Sequence, residues 1–131
     1  MVKTKKGWVV LEVKSAASVK SQFVNDAALQ YYVLKKSNLP IADFRIVHLN
    51  SAYNYDGNLD VQQLFVQESV LKKVKRNNVE IQLKIAELRE IALTKKEPAV
   101  NIGPWCNSPY PCDFKSNCWK NIPSPSVFDI A

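Results

Sequence analysis

The chain has 131 residues, enough for one modest core and too few for two independent ones. Hydrophobic residues make up 47% and charged residues 23%, a balance that excludes an intrinsically disordered chain, and no apolar run approaches the length a membrane-spanning helix needs. The formal charge of +6 biases the surface mildly toward polyanions such as nucleic acid or anionic membrane.

The lysine-rich start runs into Gly7-Trp8 and a short strand instead of a signal-peptide core, so the expected compartment is the cytoplasm. Lys5-Lys6-Gly7 reads as a hairpin turn. Residues 8–14, "WVVLEVK", suit a strand with Val9, Leu11 and Val13 on a core face and Val10, Glu12 and Lys14 on the other. Ser15 to Ser18 is a polar break able to cap a helix over 19–36, where Phe23, Ala27, Gln30 and Leu34 recur at helical spacing until Ser37-Asn38-Leu39-Pro40 ends it.

A second strand is expected over 43–50, turn chemistry at "NYDGN", and a third strand over 63–67. Apolar residues then repeat at helical intervals over 70–94, with a weak point at Arg76-Asn77-Asn78. The fold class is α/β: a small mixed sheet flanked by helices. Residues 1–96 form the core, and 97–131 form an irregular segment packed on the same domain, with six of the seven prolines and all three cysteines.

Two features carry chemistry. Glu12 and Lys14 leave one strand face together, so they form either a strand-end salt bridge or the start of a site: a carboxylate suits magnesium or manganese, and an ammonium orients water or stabilises charge on a phosphate. Cys106, Cys112 and Cys118 recur every six residues, a clustering that suits zinc or an iron–sulfur cluster and equally fits free thiols. His48 is the one candidate for a fourth ligand within the chain. Two basic runs, Lys3-Thr4-Lys5-Lys6 and Lys72-Lys73-Val74-Lys75-Arg76, are either solvated surface or phosphate contacts.

"WVVLEVKSA", then "DAALQYYVL", then "FRIVHLN", resembles the RecB-like branch of the PD-(D/E)XK nuclease superfamily, over about residues 8–119. Closest in likeness is an uncharacterised bacterial family ending in a cysteine cluster. The resemblance implies a restriction-endonuclease-like core that hydrolyses phosphodiester bonds, with DNA the expected partner and no membrane. Glu12 then matches the metal-ligating acid, with the carbonyl of Val13 as a further ligand, Lys14 the motif lysine, and Gln30 the glutamine of the active-site wall.

Where that pattern often has a tyrosine, this chain has Leu34, with Tyr31 and Tyr32 as replacements. The cysteines match three ligands of a 4Fe–4S cluster whose fourth lies near the N-terminus of such domains. The first acid and its strand have no counterpart among residues 1–7, so the chain reads as N-terminally truncated; Asp26, Asp43 and Asp60 are the acids left to substitute. The expectation is a nuclease fragment that is inactive alone. The alternative is a non-catalytic nucleic-acid or protein-binding module, zinc-stabilised in one version, and the uncovered stripe of residues 70–94 offers a surface for self-association.

Overall fold

The computed structural model describes residues 1–108 and 110–130. The chain packs as two units, Met1–Glu90 and Ile91–Ala131.

In the first unit, β1 (Val2–Thr4) and β2 (Gly7–Val13) form an antiparallel hairpin. Its turn is closed by the Thr4 hydroxyl, which donates to the Gly7 carbonyl at 2.7 Å and accepts from the Lys6 N–H at 3.2 Å. Gly7 has φ +120, and a Cβ there would overlap the Pro40 carbonyl oxygen, which accepts the Trp8 N–H at 2.7 Å. Only glycine fits both constraints. The resemblance left this strand pairing outside the chain; Val2–Thr4 supplies a partner strand, and it carries no acid.

After β2 the chain crosses through α1 (Ser21–Lys36) and returns as β3 (Ile41–Leu49), parallel to β2. The helix begins two residues later than expected, at an N-cap, Lys20, that makes no side-chain bond, so Ser15–Ser18 do not cap it. It ends as expected: Asn38 adopts φ 57, and the Leu39 N–H reaches the Leu34 carbonyl at 3.2 Å. β4 (Phe65–Ser69) pairs antiparallel with β3, giving the sheet order β1-β2-β3-β4. It starts two residues beyond the expected position because the Asp60 carboxylate caps one helical turn, α2 (Val61–Leu64), which takes up Gln63. α3 runs unbroken over Leu71–Leu93, without the expected weak point.

The parallel crossover lays α1 on one sheet face, and that face decides what is core. Val24, Ala27, Ala28 and Tyr31 of α1 close over Val10, Phe44 and Ile46, joined by Val70 and Val74. This corrects the expected inner face of β2: Val10 is 5% exposed and Val13 67%. Val9, Leu11 and Val13 lie on the opposite face. Glu12 pairs in register with Ile46, so the polar end of β2 points to the helix side.

The second unit is irregular, as expected. It holds short turns at Pro104–Cys106 and Val127–Asp129, the latter closed by a Ser126/Asp129 capping box, and a one-turn helix α4 (Lys115–Cys118). The rings of Trp119 and Phe128 pack at a tilt of 57°, their centroids 4.7 Å apart.

The face assignment predicts unequal costs for two similar truncations. Val10→Ala should lower unfolding stability by about 2 kcal/mol, and Val13→Ala by less than about 0.5 kcal/mol, read from urea midpoints. Equal losses would contradict it.

Candidate functional site

Glu12 and Lys14 do meet. The Lys14 N–H extends the ladder to the Val47 carbonyl at 2.9 Å, and the chain then folds back, with the Ala16 N–H on the Lys14 carbonyl. This holds Lys14 in the extended state that keeps its side chain on Glu12's face. Its Nζ lies 3.2 Å from Glu12 Oε1 and donates to Asp26 Oδ2 at 2.6 Å. The Phe23 ring lies 5.4 Å from the same Nζ. Phe23 and Asp26 are one turn apart on α1, so the ammonium is gripped by β2 and α1 together.

The site carries two carboxylates and one ammonium. Asp26 is the most open of the three, its side chain 57% exposed against 18% for Lys14. The Asp26 hydrogen bond raises the Lys14 pKa above the ordinary lysine value; partial burial opposes it, and Glu12 adds to the rise.

Gln30 lies one helical turn beyond Asp26. It lines a cavity of about 480 Å³ with Met1, Val10, Leu11, Leu29 and Val33, and Glu12, Lys14 and Asp26 are not part of that wall. Tyr31 is buried in the core, and Tyr32 lies under Lys36 at 5.7 Å. Of the other acids, Asp43 is on the opposite sheet face, where it accepts from Ser69 Oγ at 2.6 Å, Arg45 Nε at 2.7 Å and the Phe44 N–H. Burial raises its pKa, but these donors outweigh it and leave a net lowering. Asp60 is committed to capping α2. Of these acids, Asp26 alone joins Glu12 and Lys14.

The peptide linking Val13 to Lys14 turns its N–H toward Val47, so the Val13 carbonyl points to the opposite edge of β2, where β1 has already ended opposite Val9. Glu12 and Val13 thus offer one carboxylate, already paired with an ammonium, and one carbonyl. Among the described residues no three His, Cys, Asp or Glu side chains converge to hold a metal ion. This donor set does not fit magnesium or manganese.

The cysteines do not fit a shared metal either. Cys106 is buried, Cys112 exposed and Cys118 half-buried, all as free thiols. Cys112 and Cys118 line one cavity of about 450 Å³ with Val100 and Phe114, and Cys106 is not part of that wall. The Trp119 indole N–H is the main influence lowering the Cys106 pKa, followed by the Gly103 backbone; burial opposes them, and the Lys115 charge adds to the lowering. Yet Trp119 Nε1 is buried with no hydrogen-bond partner, so it sits near the thiol without a formed bond. His48 is buried in the first unit, its Nδ1 bonded to the Leu49 carbonyl at 2.9 Å.

These placements set two expectations. A Lys pKa raised by folding contributes stability that is complete below about pH 10.5 and lost as pH rises through the raised value. The stability gap between the native chain and Lys14→Met should therefore be constant from about pH 7 to 9 and shrink above 10.5, measured by thermal melting. A gap that widens there would contradict it. Maleimide labelling followed by mass spectrometry should modify Cys112 first and Cys106 last, because burial outweighs thiolate character.

No helix among the described residues is long and apolar enough to cross a membrane. Comparison with protein-family models, with curated proteins and with solved structures found no match.

Proposed function

We propose that this chain is a DNA-backbone-binding module on a metal-dependent nuclease scaffold, which holds phosphodiester and does not hydrolyse it. The observation that carries the reading is the Lys14 ammonium fixed between Glu12 and Asp26 at the end of β2, on the side covered by α1. Glu12 and Lys14 leave one strand face together in the positions of the acid and the lysine of the nuclease pattern that the sequence resembles.

Glu12 holds the position of the acid that a nuclease site of this kind uses for its metal, and Gln30 lies on α1 one turn beyond Asp26. The resident oxygen donors do not fit a divalent ion, so no water is activated and the reading stops at binding. Affinity comes from charge: Lys3, Lys5, Lys6, Lys72, Lys73, Lys75 and Arg76 are exposed and suit contact with phosphates irrespective of sequence.

Fluorescence anisotropy with a labelled DNA duplex tests it. Affinity should fall steeply between about 50 and 200 mM salt, and Lys72→Ala/Lys73→Ala should flatten the slope of log affinity against log salt by roughly one unit for each phosphate no longer neutralised. No cleavage above the Glu12→Ala background should appear with magnesium or manganese. Absence of binding at low salt would overturn the reading. Turnover that Glu12→Ala abolishes would overturn it and show that the chain is an enzyme.

A further inference from the structure

The core covers one face of the sheet and leaves the other apolar. α1 lies over Val10, Phe44 and Ile46, while Leu11 and Val13 of β2 and Val47 of β3 face the other way. A parallel pair such as β2 and β3 is ordinarily covered on both faces. Here the second face is an apolar trough of about 640 Å³, lined by Leu11, Val13, Val47, Val61 and Phe65. Its polar members, Gln62 and Gln67, carry no charge. Val13 is 67% exposed and Val61 55%, so the trough is open along both the β2 and the α2 wall.

α3 carries a second apolar surface. Leu71, Val74, Ile81, Ile85, Leu88 and Ala92 fall three, four or seven residues apart and form one seam along the helix, with Asn78 in the remaining place. Val74 is fully buried, and Leu71 and Ile81 pack against the same core as α1. Beyond Ile81 the seam opens: Ile85 is half-buried, Leu88 is 53% exposed and Ala92 is exposed.

Its first half holds the seam on the α1 side of the sheet, so it cannot turn to fill the trough of its own chain. A second copy can bring it there. The charges fit: Lys84 and Arg89 flank the open half of the seam, and the loop that enters the trough wall at Val61 carries Asp56 and Asp60. Size points the same way. Trough and open seam each present roughly 400 Å² or less, short of the roughly 800 Å² per partner of a stable interface, and together they approach it. A two-fold pair uses both surfaces of each copy, whereas a one-way contact continues into an open chain.

We propose that two copies of this chain form a closed two-fold dimer in which the open half of each α3 seam, centred on Leu88, lies in the sheet trough of the other copy. The contact is separate from the DNA-binding reading and stands or falls without it.

Sedimentation equilibrium on the full chain tests it. At about 50 µM the native chain should have the mass of two chains, and dilution should return it to one. Val13→Glu in the trough and Leu88→Glu in the seam should each raise the dissociation constant at least about tenfold, since each puts a charge into both apolar contacts of the pair. Both residues are more than half exposed in the single chain, so both variants should keep the native circular dichroism. Val61→Glu, on the other wall of the trough, should act as Val13→Glu does. An equimolar mixture of the Val13→Glu and Leu88→Glu chains should dimerise more tightly than either alone, because the mixed pair keeps one contact with both surfaces native.

A native chain that stays single at about 50 µM overturns the dimer, and a mass that grows beyond two chains overturns its closure. If Leu88→Glu has no effect, sheet meets sheet; if Val13→Glu and Val61→Glu have none, α3 meets α3. Either result overturns the pairing of seam with trough, as does a mixture no tighter than its components.

Discussion

One ammonium shared by two carboxylates ties the sequence of β2 to the placement of α1. Lys14 reaches both Glu12 and Asp26 only if β2 is extended through residue 14 and α1 crosses on the side where Glu12 points. The ladder bond from Lys14 to Val47 secures the first condition. The small side chains of Ala27 and Ala28, fully buried against the sheet, secure the second by letting the helix approach closely. The polar site and the apolar core are therefore one arrangement: Val10 and Glu12 share a strand face, and α1 covers the first with its core stripe while Phe23 and Asp26 reach the end of the second.

The architecture was largely legible in the residues, because a 16-residue helix between two apolar strands writes its own periodicity. The inner face of β2 was not. Trp8, Val9, Val10 and Leu11 are all apolar, so alternation offers two faces of nearly equal hydrophobicity, and only the crossover chooses between them. The same gap hid Asp26. Its partner lies twelve residues away across a strand-to-helix turn, a separation that periodicity within one element cannot bridge. The onset of β4 was misplaced for a different reason: Asp60 spends its carboxylate on a local helical turn, and such side-chain caps compete with strand pairing over a few residues.

Spacing of six residues between cysteines suggested convergence, but convergence depends on the backbone between them. Cys106 closes a short turn and is buried, Cys118 ends a one-turn helix, and Cys112 lies exposed, its N–H on the Cys106 carbonyl at 2.9 Å. That main-chain bond brings two of the segments together without bringing three thiols to one point. In the first unit the acids behave similarly: Asp43 and Asp60 are satisfied by local donors, and the acid that joins Glu12 does so through a lysine.

A double-mutant cycle on Lys14→Met and Asp26→Asn measures the shared ammonium most directly, with unfolding free energies taken at neutral pH. The account requires the two losses to be non-additive, with a coupling of roughly 0.5–1 kcal/mol, modest because Asp26 is open to solvent. Losses that add to within about 0.3 kcal/mol would mean that helix and strand are not joined through this cation, and the site as described would not exist.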